Sequence, residues 1–228
     1  MERRYLRLDE SFELKYRPYT WRELIGQDEI VESVRATLDS GRKRCFFFCG
    51  PSGLGKTTTA RLIARHLGCP GGLGGYLERD AAIYAGIDKM RELTDWMRYR
   101  TLRRGGKKVA CLDEVHCLSP QAMQALLKSV EEPPSYGYWI FCTTKLDKIL
   151  VTLMKRCARY RFRPVATEFI VPRLLYVHHC EGLHFERAAL EYIAVCAKGS
   201  PRDALTYLDM CRDLTTLEEV QRRLSATW

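Results

Sequence analysis

The sequence contains no run approaching the roughly 20 apolar residues that a membrane-crossing helix needs. Its first residues, MERRYLRLDESFELKYRP, have no apolar stretch of the signal-peptide kind. No two of the ten cysteines stand at C-x-x-C spacing, which argues against a zinc knuckle. Internal repeats are missing, and only GCPGGLGGYL at 68–77 is glycine-dense, a composition that reads as a surface loop. These absences leave a cytoplasmic globular protein with no membrane partner as the expectation.

What is present is a chain of 228 residues, 46% of them hydrophobic, enough for one substantial core and a small second domain. Several cysteines lie in apolar runs such as CFFFCG and KVACLDEV, where a thiol packs as a small hydrophobe. Lys and Arg outnumber Asp and Glu by 37 to 28, a net charge of +9. That balance favours a polyanion partner, although solvated basic faces produce the same count.

Apolar runs at 44–50, 107–115 and 138–144 read as buried strands, and ARYRF at 158–162 as a fourth. A helix follows the first of them from Lys56 to about Leu67. Another begins at Ser119 and Pro120 and stops before Pro133. Alternating strands and helices predict an α/β domain with a largely parallel sheet over residues 1–164. From 165 to 228 the pattern changes to three helices, two of them closed by Gly182 and Gly199, so a small all-helical domain is expected.

GPSGLGKT, Gly50 to Thr57, fits G-x-x-x-x-G-K-[ST] between a buried strand and a helix. Gly50, Pro51, Ser52, Gly53, Leu54 and Gly55 would curl so that backbone N–H groups face phosphate oxygens at the positive end of the helix that includes Thr58. Lys56 would sit on the β and γ phosphates of ATP, and Thr57 would offer a hydroxyl to Mg²⁺. The next strand ends in LDEVH. There Asp113 would share the Mg²⁺ and Glu114 would orient or deprotonate the attacking water. Thr143 and Thr144 close the third strand, where a hydroxyl could position that water or simply be β-branched filler.

KYRPYTWRELIGQDEIVESV, GPSGLGKTTTARLIAR, DEVHCLSPQAMQALLKSVEEPP, FCTTKLDKILVTLMKRC and GSPRDALTYLD follow one another along the chain. In that order they resemble the AAA+ ATPase subunits of DNA sliding-clamp loaders, and among these the bacterial DNA polymerase III gamma/tau subunits, from about Leu14 to Asp209. The resemblance implies a P-loop AAA+ domain followed by a helical lid, with ATP hydrolysis used to load a clamp on primed DNA. Tyr16, Arg17, Pro18, Ile25, Gly26 and Gln27 match the stretch around the adenine. Thr144 matches the first sensor, and Arg202 the second, on the lid. In TLMKRCARY, Arg156 matches the arginine finger that enters a neighbour's ATP site, whereas Lys155 and Arg159 are equally read as solvated charge.

The resemblance also implies a pentameric ring of loader subunits, homo- or hetero-oligomeric, acting on a sliding clamp and primer-template DNA. The helix start at Ser119 and Arg98, Arg100, Arg103 and Arg104 are candidates for DNA contact. Two departures from the pattern matter. The family's four-cysteine module has only Cys69 and a glycine loop in its place, so no zinc is expected. The family's collar is not among these 228 residues, which is compatible with a fragment, with assembly on a partner's collar, or with a compact phage-encoded form. Another AAA+ ATPase acting on DNA, of helicase-loading or branch-migration type, and a non-hydrolysing loader subunit are the alternatives.

Overall fold

A computed structural model describes residues 10–69, 75–83, 86–101 and 105–226. The chain gathers into two compact units, one of Met1–Gln27, Ser52–Leu54 and Arg163–Trp228, the other of Asp28–Pro51 and Gly55–Phe162.

In the second unit five strands, β1 (Cys45–Cys49), β2 (Tyr76–Asp80), β3 (Lys108–Asp113), β4 (Gly137–Thr143) and β5 (Ala158–Arg161), form one parallel sheet in the order β2-β3-β4-β1-β5. Parallel neighbours require crossovers, and the unit's helices are α2 (Asp28–Ser40), α3 (Lys56–His66), α4 (Ile87–Arg98), α5 (Pro120–Glu131) and α6 (Val151–Arg156). Covered on both faces, the central strands read as unbroken apolar runs. Phe47, Leu112, Trp139 and Phe141 pack in one cluster with Met90 and Met97 of α4 and Leu126 of α5. In another cluster Phe48 meets Phe162 edge to face at 5.4 Å and Tyr160 at 5.8 Å. The fully buried rings of Phe48 and Phe162 each contribute about 1.5–3 kcal/mol relative to exposure.

Strand β2 corrects the sequence reading, which gave 68–77 to a loop. Tyr76 and Leu77 open a strand that continues as Glu78, Arg79 and Asp80 and pairs Asp80 with Asp113 of β3. An edge strand is covered less completely, so its polar half carries no apolar signal. The charge is used instead: Arg61 of α3 grips Glu78 through Nε and Nη2, both at 2.7 Å. Residues 70–74 of the expected loop lie outside the described residues.

The first unit holds the short helix α1 (Phe12–Lys15) and, after residue 165, α7 (Thr167–Glu181), α8 (Arg187–Cys196), α9 (Pro201–Met210) and α10 (Leu217–Ser225). Four described helices thus stand where the sequence reading expected three. Helix α10 is marked by a capping box between Thr216 and Glu219 and buries only Val220 and Leu224, too narrow a stripe to stand out. Phe12, Leu174, Leu190, Ile193, Leu208 and Val220 form the core. At its margin Lys15 Nζ pairs with Glu181 at 2.7 Å, and Tyr16 donates its hydroxyl to the same carboxylate.

Burial would raise the Glu181 pKa, but hydrogen bonds from Lys15 and Tyr16 outweigh it and lower the pKa below the ordinary 4.5. Glu181→Gln should cost about 1–3 kcal/mol near neutral pH. A carboxyl with a depressed folded pKa stabilises fully above its unfolded value and loses that contribution as pH falls through the folded one. Denaturant titrations of both proteins should therefore show a gap that is constant above pH 4.5 and closes below it.

Burial likewise pushes the Cys45 thiol up to about 12 and those of Cys69 and Cys211 to about 11, whereas Cys117 and Cys180 are exposed. The thiolate is the reactive form. Maleimide labelling followed by peptide mapping should modify Cys117 and Cys180 in the native protein, and Cys45, Cys111, Cys142 and Cys211 only after denaturation.

Candidate nucleotide site

The sheet brings three chemical elements to one edge. Cys49 is in register with Thr143, and the Gly50 N–H donates to Thr143 O at 3.2 Å, so β1 and β4 end together. Strand β3 ends at Asp113, in register with Asp80 of β2. Ligands of open α/β sheets bind at such carboxyl ends, where the strand order reverses.

After β1 the chain turns sharply at Gly50 (φ 141°), where an added Cβ would lie 2.4 Å from Phe162 O. Gly55 caps α3 in the left-handed region at φ 97°. A side chain is disfavoured at both positions. The first N–H groups of α3 have no partner within the helix and carry its positive end. Buried Lys56 reaches back along this loop and donates from Nζ to Gly50 O and Pro51 O, each at 2.7 Å. A buried ammonium beside the N-terminal turn of a helix fits a polyphosphate, which the ammonium and the helix N–H groups could hold.

Thr57 Oγ1 donates to Asp113 Oδ2 at 2.6 Å, and the Glu114 N–H donates to Asp113 Oδ1 at 3.0 Å. A hydroxyl and a carboxylate oxygen so close are hard donors that fit Mg²⁺. Glu114 follows in the left-handed region (φ 49°), unusual for a side-chain-bearing residue. Its Oε2 accepts from Thr144 N at 3.2 Å and Thr144 Oγ1 at 2.9 Å. Thr58 is buried in the first turn of α3.

The other expected residues are placed as follows. In the first unit, Gln27 is buried with Nε2 donating to Arg163 O at 2.7 Å; Ile25 packs on the core and Gly26 on Val165. Arg173 donates to Tyr16 O at 2.7 Å; the Arg17 N–H bonds Leu14 O at 3.3 Å, and Pro18 follows in a loop. Arg202, in the first turn of α9, reaches Ser52 Oγ at 3.4 Å; Gly53 lies against Ser200, and Leu54 is buried. In the second unit, Arg156 ends α6 with Nη1 on Thr152 O at 2.7 Å and Nη2 on the Glu131 carboxylate. Ser119 Oγ accepts from Ala122 N at 3.2 Å and caps α5. Arg98 pairs with Asp95, and Arg100 lies over the Tyr136 ring, whereas Arg103 and Arg104 fall outside the described residues. Sequence reasoning passed over Glu131 and His116, because neither stands at a position whose spacing marks it.

Among the described residues no three His, Cys, Asp or Glu side chains gather as a metal site would require, and no helix is long and apolar enough to cross a membrane.

Residues 77–166 match the family model for the DNA polymerase III delta subunit, and residues 169–210 that for the ATPase lid domain of DNA polymerase III clamp-loader subunits. DNA polymerase III subunit tau of Bacillus subtilis is 33% identical over 85% of this chain and 38% of its own length. Subunit gamma of Buchnera aphidicola subsp. Baizongia pistaciae is 35% identical over 84% of this chain and 57% of its own. The chain thus spans between about two-fifths and three-fifths of the length of these curated relatives. The Thermotoga maritima RuvB Holliday junction branch migration motor superposes with a TM-score of 0.77 over 92% of this chain and 72% of its own, at 21% identity, a likeness of fold alone. The parallel P-loop sheet, the lid and the gamma and tau relatives together place the chain in the AAA+ ATPase family of DNA polymerase III clamp-loader subunits.

Proposed function

We propose that this chain is an ATP-hydrolysing motor subunit of a DNA sliding-clamp loader, with residues 1–164 as its ATPase domain and 165–228 as its lid. The observation that carries the reading is the convergence of Lys56, Thr57, Asp113 and Glu114 at one sheet edge, with Thr57 and Asp113 2.6 Å apart. In this reading the Gly50–Thr58 loop binds the phosphates of ATP, and Lys56 exchanges its two carbonyl partners for β and γ oxygens. Thr57 and Asp113 would hold Mg²⁺, which when bound neutralises charge between those phosphates. Glu114 draws the proton from the attacking water, and Thr144 and Arg202 sense the γ-phosphate. Tyr16, Arg17, Pro18, Ile25, Gly26 and Gln27 form the adenine side.

Arg156 leaves Glu131 to reach the γ-phosphate of a neighbouring subunit, which makes hydrolysis depend on assembly. The partners are further loader subunits in a pentameric ring, a sliding clamp and primer-template DNA, in the cytoplasm of a bacterial cell. Backbone phosphates are positioned without sequence readout by the α5 N-terminus, Arg98 and Arg100.

ATP turnover measured with and without a sliding clamp and primed DNA tests the reading, and stimulation by both is expected. Stimulation by DNA alone would assign another AAA+ machine, and no turnover a non-hydrolysing subunit. Lys56→Ala should weaken ATP binding about 10- to 100-fold in an equilibrium titration, the worth of a charge-assisted contact. Arg156→Ala should leave that affinity intact yet slow the assembled complex about 10³-fold or more. An isolated chain that hydrolyses at the assembled rate and ignores the change would remove the finger role.

A further inference from the structure

His116 lies in a single 3-10 turn, Val115–Cys117, directly after Glu114. Its imidazole is only 10% exposed, against 35% for the Glu114 side chain. Nδ1 stands 3.1 Å from Glu114 Oε2 and 3.0 Å from Thr143 Oγ1. Of the two contacts only that with Thr143 has hydrogen-bond geometry, and the approach to Glu114 is that of a close ion-pair neighbour. The buried Thr143 hydroxyl fixes the tautomer, with Nδ1 carrying the proton and donating to it. It accepts from Lys145 N at 3.0 Å and has Lys145 O, 3.3 Å away, to take its own hydrogen. The amide and hydroxyl of Thr144 donate to Oε2, and the Nδ1 edge of His116 is its third polar neighbour. These polar contacts all fall on that one oxygen.

We propose that His116 is a positioning residue for Glu114: its ring, held by Thr143, lies against Oε2 and, with the two hydrogen bonds from Thr144, keeps that oxygen in place and so presents Oε1 to the water. The inference rests on Glu114 being the base of the proposed reaction. A freely rotating glutamate on a third-exposed surface samples many rotamers, and a misplacement of about 1 Å at a reacting group costs on the order of 100-fold in rate. Pinning one oxygen removes that freedom while leaving the other free to take a proton. Thr143 matters here through its place in β4, because its hydroxyl takes the Nδ1–H and so fixes the ring beside Oε2.

The test compares wild type with His116→Ala, His116→Asn, His116→Gln and Glu114→Gln in ATP titration and steady-state turnover. It is paired with ¹⁵N spectra of selectively labelled histidine. Asn places an N–H two bonds from Cβ, as Nδ1 is; Gln places it three bonds away. ATP affinity should stay within about twofold in all the His116 variants, and kcat should fall about 10- to 100-fold in His116→Ala and His116→Gln. His116→Asn should recover most of the loss. The wild-type spectrum should show His116 protonated at Nδ1, and Glu114→Gln should alter that signal. A His116→Ala protein with wild-type or higher kcat, an Asn variant as slow as Ala, or a wild-type imidazole protonated at Nε2 alone would overturn the proposal. If Glu114→Gln itself hydrolyses at the wild-type rate, the base assignment fails and the proposal with it, an outcome distinct from failure of His116 alone.

Discussion

The parallel register of β1, β3 and β4 is the constraint on which the site depends. Backbone hydrogen bonds and two-sided burial fix that register, since a slip by one residue would turn every buried ring of β4 to the opposite face. With Cys49 opposite Thr143 and the Gly50 N–H on Thr143 O, the loop after β1 must begin where Thr143 and Thr144 emerge. Neither the glycines of the loop nor the carboxylates of β3 could meet without this alignment. The apolar runs between them therefore serve the chemistry as much as the polar residues do.

Around that edge, charge is balanced locally. Buried ions are costly unless paired or hydrogen-bonded. Lys56 donates to two loop carbonyls, Asp113 accepts from Thr57 and Glu114, and Glu114 accepts from Thr144 with His116 close beside it. Arg156 follows the same rule outside the edge, where Glu131 and a helix carbonyl take its guanidinium. Each of these partners is one that a phosphate oxygen or a cation could replace without leaving a buried charge bare.

Much of this was legible in the sequence. The Gly50–Thr57 loop declares itself because only a glycine-rich turn between a buried strand and a helix can present so many N–H groups, and the buried strands declare themselves through unbroken apolar runs. Strand β2 and helix α10 escaped because their burial is partial: Glu78, Arg79 and Asp80 are strand residues by pairing with β3, and α10 buries two side chains. The order of the motifs assigned the clamp-loader family, which no single spacing could have done.

Residue types and local order were determined by sequence alone: an α/β unit, a helical unit, a phosphate loop and paired carboxylates at a strand end. Tertiary structure decided which side chains hold which. That Glu114 Oε2 rests between Thr144 and His116, that Arg156 turns to Glu131, and that Tyr16 spends its hydroxyl on Glu181 all depend on contacts between residues up to 165 positions apart. Local pattern encodes which face is apolar and where a helix begins. It cannot encode distances across a sheet, because those are set only when the strands pair and the core closes.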